Sequence, residues 1–352
     1  MKKRIDFLIV GFGLAGGLLA WELMRRGSSV RVVDRGDLNA SQVAAGLINP
    51  LTGRRFAKTE GVDRFLPAAK AYYRMLADAF DRPFLIEKPM RRLFRCEMEA
   101  VHGRKRLQDH AYRPYIDNMV EMAGGENDGG YLDQKQTGYL LTRPLLACLQ
   151  EFLQSHQAYF QAALDYREIR LDAEPGWRDF SIRKVIFCEG FHMRDNPWFS
   201  WLPLRPAKGE ILTFAHRLAM PDRMLNDGHW LIPIGEGRAR IGATFDRDNV
   251  DTHLTSAARM ELAEAGERLF AGLQNAELVA HEAGVRPCTM DRQPFVGSHP
   301  RYSYLSIFNG FGAKGSLSIP WHCRRFADYL LTGEALPERC DVKRYEKTHF
   351  FG

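Results

Sequence analysis

The chain has 352 residues, and chains longer than about 250–300 residues divide into domains, so two are expected. Hydrophobic residues at 45% and charged residues at 26% exclude a disordered chain, a collagen and a membrane-spanning bundle. A net charge of +6 permits an anionic ligand or a nucleic acid and selects neither. Cys96, Cys148, Cys188, Cys288, Cys323 and Cys340 form no Cys-x-x-Cys pair, so neither a metal site nor a thioredoxin-type pair is expected. Scattered thiols suit reduced core residues of a cytoplasmic protein.

Lys2, Lys3 and Arg4 before the uncharged stretch 7–21 imitate a secretory signal. The stretch is shorter than the roughly 20 apolar residues of a membrane span, and its glycines follow a different logic. Ile5 to Val10 is a short apolar run suited to a strand buried on both faces. After a glycine turn, residues 18–24 continue as a helix that Gly27 ends, and a second strand over 29–33 leads to Asp34. Residues 62–80 read as an amphipathic helix, with Phe65, Ala69, Tyr72, Tyr73 and Leu76 on one side.

From Pro83 to Met119 the pattern predicts short strand-like pieces rich in arginine, then a glycine-rich loop over 124–130. A helix over 142–153 is expected to be capped by Thr142, with Pro144 in its first turn. A strand over 182–187 runs into Cys188-Glu189-Gly190. Strands fill 209–244, split by turns at Asn226-Asp227-Gly228 and Gly235-Glu236-Gly237. A helix over 256–273, a strand over 304–308 and a helix over 318–331 complete the chain. The βαβ signals at start, middle and end predict an α/β chain with a discontinuous nucleotide-binding domain over 1–82, 131–204 and 284–352. A mostly antiparallel second domain with helices would come from the insertions 83–130 and 205–283.

Gly11-Phe12-Gly13-Leu14-Ala15-Gly16 follows a strand, opens a helix, and precedes an acid at the end of the next strand. Gly11 permits the tight turn, Gly13 lets backbone approach a pyrophosphate, and Gly16 lets helix and strand pack closely. Asp34, 18 residues after Gly16, is placed to accept hydrogen bonds from ribose hydroxyls. Arg35 beside it reads either as a contact to a 2′-phosphate or as a solvated charge. The motif itself does not separate FAD from NAD.

Two further segments bear on that choice. Ser41-Gln42-Val43-Ala44-Ala45-Gly46-Leu47 carries small residues that let backbone lie against a large flat group. Gly284-Val285-Arg286-Pro287, with Asp291, Pro294 and Gly297 beyond it, is followed by Asn309-Gly310-Phe311-Gly312-Ala313-Lys314-Gly315, a second glycine-rich helix start. In this order the segments resemble the D-amino acid oxidase and glycine oxidase family of FAD-dependent oxidoreductases. The Phe-Gly-Ala-Lys-Gly turn is similar to that in the flavin domain of the enzyme that trims carboxymethylaminomethyluridine in tRNA.

The resemblance implies a Rossmann-type FAD-binding domain with non-covalent FAD, and hydride transfer to flavin from the carbon beside an amine nitrogen. It places Ser41, Ala45, Gly46 and Leu47 near the flavin ring and Gly190 beside the dinucleotide. Gly310, Gly312, Lys314 and Gly315 would stand at the pyrimidine oxygen, with Lys314 adding positive charge. Arg286 would hold a substrate carboxylate, a role its planar fork suits. Asp34 stands where the family usually has Glu, and Ala313 where glycine oxidases carry Arg.

His229 and Trp230 read as a surface histidine and a core aromatic, with a pocket wall as the alternative; His281 is undecided. The cations from Lys88 to Arg113 invite an RNA reading, which Glu87, Glu97, Glu99 and Asp109 dilute. Three functions follow from these readings. The first is oxidation of an amino acid or secondary amine, the second oxidation of a modified base on RNA, and the third a catalytically silent dinucleotide-binding protein.

Overall fold

The computed structural model describes residues 3–121, 129–171 and 175–351. Residues 124–128 of the expected glycine-rich loop therefore lie outside the described residues. The chain divides into two compact units. The first comprises Met1–Ala44, Thr142–Ala207 and Val285–Gly352, and the second Ala45–Leu141 and Lys208–Gly284. The chain passes from one unit to the other four times.

The first unit is built on a mostly parallel sheet in the order Tyr159–Gln161, Val30–Asp34, Lys3–Val10, Phe180–Phe187, Leu305–Asn309, Phe295–Ser298. Only the last of these pairs is antiparallel. Phe7, Leu8 and Ile9 are fully buried, as a strand covered on both faces requires. Val10 stands opposite Val33 on one side and Phe187 on the other, so Gly11, Asp34 and Cys188 follow at one edge of the sheet. This is the carboxyl end, where ligands bind in open α/β sheets. Helices Leu14–Arg25, Thr142–Ser155 and Gly315–Thr332 belong to the same unit.

The second unit carries an eight-stranded sheet in the order Glu277–Arg286, Ala207–Ala215, Arg238–Gly242, Trp230–Gly235, Met224–Asn226, Met90–Leu93, Tyr131–Gln134, Ile116–Val120. Most of its pairs are antiparallel, and Met224–Asn226 runs parallel to Met90–Leu93. Alternation sorts the two faces. Leu212, Phe214, Leu231, Ala239 and Ile241 pack with Leu262, Ala265 and Leu269 of helix Ser256–Leu269. Ile232, Met90, Met224 and Tyr139 form another cluster, against which Trp230, Ile234, Ala45 and Leu47 pack.

The compact units differ from the boundaries expected from the sequence: residues 45–82, 131–141 and Gly284 fall in the second unit, and residues 205–207 in the first. Leu47–Ile48 pairs with Gly138–Leu140, which pairs in turn with Leu85–Glu87, so these segments form one small sheet. The stretch 83–119 holds strands Leu85–Glu87 and Met90–Leu93 but also helix Glu97–Gln108. Glu97 and Glu99 in its first turn and Lys105 and Arg106 in its last complement the helix dipole. Thr142 is not a cap; it lies inside its helix and donates its hydroxyl to the Ala44 carbonyl at 3.3 Å. The helix from Ser256 stops at Leu269 and resumes as a short 3₁₀ turn, Ala271–Leu273. The last helix begins at Gly315, three residues earlier than Ser318, and carries Pro320 inside it.

Gly46 has φ +69, and a Cβ there would stand 2.1 Å from the Leu140 carbonyl oxygen. Gly46→Ala is expected to destabilise the protein by about 2–4 kcal/mol, combining left-handed strain with overpacking. Urea unfolding of the purified variant checks this, and an unchanged midpoint would contradict it.

Candidate cofactor and substrate site

The turn after the first strand is held by close packing. Gly11 has φ +98 and donates its N–H to the Val33 carbonyl at 2.8 Å; a Cβ there would lie 2.6 Å from the Cys188 oxygen. A Cβ on Gly16 would lie 2.0 Å from the Gly11 oxygen. Both glycines are therefore demanded by strand and helix alone. Gly13 differs, since only the rotatable Ser41 hydroxyl comes near a Cβ, at 3.2 Å.

Helix Leu14–Arg25 begins with no side-chain cap and no acid in its first turn. Ser41 Oγ accepts the Leu14 N–H at 2.9 Å, and Asp34 Oδ1 accepts the Phe12 N–H at 2.8 Å. Asp34 Oδ2 takes the Gly36 N–H at 2.8 Å and the Tyr159 hydroxyl at 3.4 Å. Burial and Asp34 push that hydroxyl up to about 12. A carboxylate offers about four acceptor positions, so Asp34 keeps capacity beyond these three donors. Arg35 is exposed.

Sequence reasoning missed Asn39, although its signature was present. Asn39 and Gln42 form a reciprocal capping box for the turn Ala40–Val43. Asn39 also donates its amide to the Phe12 carbonyl at 3.3 Å, tying this turn to the glycine turn.

Gly190 has φ +59 with open space where a Cβ would be. Beside it, the Glu189 carboxylate accepts from the Tyr166 hydroxyl and the Asn196 amide, each at 2.7 Å. Burial outweighs both bonds and pushes this carboxyl up to about 7. Neither Glu189 nor these partners stood out in the sequence, because the network joins positions that only the fold brings together.

The C-terminal turn meets the Arg286 segment within the first unit. The Gly312 N–H donates to the Pro287 carbonyl at 3.1 Å, and a Cβ on Gly310 would lie 2.7 Å from Thr289 Cγ2. Gly310 and Gly312 have φ +80 and +54. Thr289 Oγ1 is buried without a hydrogen-bond partner. Helix Gly315–Thr332 also starts with no side-chain cap and no acid in its first turn. Burial, and secondarily Arg292, bring the Lys314 ammonium down to about 8. Burial likewise lowers the Arg286 guanidinium. Ala45, Gly46 and Leu47 belong to the second unit, where Ala45 and Leu47 pack against the Tyr139–Ile232 cluster.

These residues fit a dinucleotide that carries a flavin. Two helix starts free of acids suit anionic groups, Gly13 leaves backbone open to approach, and the Thr289 hydroxyl is a buried group in want of a partner. A profile of the family described as FAD dependent oxidoreductase matches residues 6–329. The chain belongs to this family. It is 24% identical to a glycine oxidase of Pseudomonas aeruginosa, over 94% of this chain and 95% of the relative. It is also 24% identical to a bifunctional protein of tRNA 5-methylaminomethyl-2-thiouridine biosynthesis from Aromatoleum aromaticum, over 94% of this chain and 57% of that protein. The crystal structure of glycine oxidase from Geobacillus kaustophilus superposes with a TM-score of 0.79 at 22% identity, over 95% of this chain and 96% of that one. The FAD-binding Rossmann domain with a mostly antiparallel partner is thus the family fold.

The remaining candidates resolve as follows. His229 Nε2 lies 2.9 Å from Glu261, and His281 Nε2 lies 2.7 Å from the buried Glu210. Trp230 packs against the Tyr139–Ile232 cluster. In the basic stretch, Arg91 pairs with Asp133, Arg95 with Glu99 and Arg104 with Glu121 at 2.7–2.8 Å, so much of its charge is answered internally. Among the described residues no group of three metal-ligating side chains occurs, and no helix is long and apolar enough to cross a membrane.

The Glu189 carboxyl yields a prediction with a definite sign. Its folded value of about 7 lies above the ordinary 4.5, so the folded state binds this proton more tightly than the unfolded chain. Its contribution to stability is complete below about 4.5 and is lost as pH rises towards about 7. Glu189→Gln should flatten the dependence of the unfolding midpoint on pH across that window. A variant with the wild-type slope would show that Glu189 does not titrate there.

Proposed function

We propose that this chain oxidises the C–N bond of a small amino acid or secondary amine, with non-covalent FAD as hydride acceptor. The observation that carries the reading is the half-buried Arg286 beside the Gly310–Lys314 turn, in a chain whose relatives include glycine oxidases. When bound, FAD supplies the two-electron chemistry, and the protein supplies binding, orientation and electrostatics.

In this reading the N–H groups of Gly13, Ala15 and Gly16, with Phe12 and Leu14 beside them, face the pyrophosphate. Asp34 accepts from the ribose while its remaining lone pairs hold the turn, and Arg35 and Gly190 flank the adenosine half. Ser41, Ala45, Gly46 and Leu47 provide backbone and small side chains at the flavin ring. Gly310, Gly312, Lys314 and Gly315 direct N–H groups and one positive charge to the pyrimidine side. Pro287 restricts Arg286 to extended backbone, which fixes the direction of the guanidinium. Its fork then grips the substrate carboxylate through two parallel bonds. The amine must be neutral to lose hydride, so the fast form of the substrate is the one whose nitrogen has released its proton to solvent. A cytoplasmic location accords with the six free cysteines.

Asp34→Ala removes an acceptor shared by ribose and by two backbone N–H groups. FAD affinity is expected to fall by one to two decades, since a hydrogen bond to a charged group contributes roughly 1.5–3 kcal/mol. Flavin absorbance retained after dilution and gel filtration measures it, and full retention would remove Asp34 from the ribose. Heat or acid should release free FAD into the supernatant; flavin that stays with the precipitate would mean a covalent bond.

The substrate role is tested by anaerobic bleaching of the flavin with amino acids, N-methyl amino acids and uncharged amines. Arg286→Lys keeps the charge and loses the fork, and Arg286→Ala loses both, so the rate at limiting substrate should fall in that order with FAD still bound. Reduction of Arg286→Ala at the wild-type rate, or activity on uncharged amines alone, would overturn the carboxylate role.

A further inference from the structure

Three polar side chains of the second unit stand on one face of adjoining strands and are nearly inaccessible. Arg92 and Asn226 are each 5% exposed, and Gln134 is 1% exposed. Arg92 is the register partner of Asn226 on one side and Leu132 on the other; Gln134 stands one pleat along, opposite Met90. Alternation places their neighbours Arg91 and Asp133 on the reverse face, where two hydrogen bonds of 2.8 Å join them.

Internal groups do not satisfy this cluster. Both Gln134 Oε1 and Nε2 are buried without a partner, and so is Arg92 Nε. Among the described residues Arg92 forms an ion pair only with Glu99 Oε1, 3.9 Å away, and that oxygen already accepts from Arg95 at 2.7 and 3.1 Å. Asp227, the other acid acting on Arg92, is engaged by Arg268 at 3.2 Å. Two arginines therefore share the charge of Glu99, and one positive charge is in excess. The Phe56 ring lies 5.6 Å from the Arg92 guanidinium and shields it.

A buried guanidinium held only by a long ion pair and a buried amide with both ends open are each costly. The complementary group carries one negative charge and accepts from a planar fork and from an amide N–H. A carboxylate has these properties. We propose that Arg92, Asn226 and Gln134 form a buried binding site for the carboxylate of a small organic acid, separate from the role proposed for Arg286. Arg92 supplies the charge, and the Gln134 and Asn226 amides donate to the oxygens; Asn226 Oδ1 is already held by the Gly228 N–H at 3.0 Å. The carboxylate belongs either to a free acid or to an amino-acid substrate. Only the second source rests on the function proposed above.

The test uses the FAD-loaded enzyme, with sodium acetate as probe and sodium chloride at equal ionic strength as control. Acetate should raise the unfolding midpoint saturably and beyond chloride, and isothermal titration should give its affinity. Gln134→Leu and Arg92→Met should each weaken acetate about tenfold or more, the worth of a hydrogen bond to a charged group. Without acetate, Gln134→Leu should be at least as stable as wild type, because it removes an unsatisfied amide, so it carries the test if Arg92→Met misfolds. Glutamate that competes with acetate and reduces the flavin with a KM raised in Gln134→Leu identifies the substrate as the source. Acetate binding indifferent to glutamate identifies a free acid, and either pattern supports the site. Equal shifts from acetate and chloride, or undiminished acetate affinity in Gln134→Leu, overturn it. A flavin that no amine reduces would defeat the proposed function and leave this binding measurement intact.

Discussion

The first unit depends on how closely its first helix approaches the strand before it. A Cβ on Gly16 would stand 2.0 Å from the Gly11 oxygen and 3.3 Å from the Cys188 side chain. No other residue type permits that distance. With it, the N-terminus of helix Leu14–Arg25 stands at the edge where three parallel strands end together. Without it, Asp34 could not reach the Phe12 N–H, and Ser41 could not reach the Leu14 N–H. The geometry proposed to hold a pyrophosphate is thus assembled by contacts the polypeptide makes for its own reasons.

This packing explains why the glycine turn was legible in sequence. Its determinants lie within a few residues of one another, and each is a glycine whose absence of a side chain has one reading. The flanking strands were legible for the same reason, as uninterrupted apolar runs. Helix Glu97–Gln108 was not, because only Glu99, Ala100 and Gly103 of its twelve residues are buried and no apolar stripe marks it. The boundary at Ala45 was hidden because Leu47–Ile48 finds its partner at residues 138–139, some ninety positions on.

The candidate site divides along the same line. Gly11, Gly13, Gly16, Asp34 and the Gly310–Gly315 turn announce themselves through spacing. Asn39 was readable from its capping box. Glu189 with Tyr166 and Asn196, and Arg92 with Asn226, were not readable, since strand register and long-range packing bring them together. Buried polar groups of this kind are high-stakes: satisfied, they fix one arrangement, and unsatisfied, they point to something the chain alone does not provide.

The four passages between units have a consequence for biosynthesis. The strand Leu305–Asn309 lies inside the parallel sheet, between Phe180–Phe187 and Phe295–Ser298. The first unit therefore cannot close its sheet until the strand Leu305–Asn309 has left the ribosome. Its opening strand, fully apolar from Phe7 to Val10, must be kept from other partners during that interval. The second unit, complete by Gly284, has all its strands earlier. The unit that opens this sequence is thus the later of the two to have all its strands synthesised.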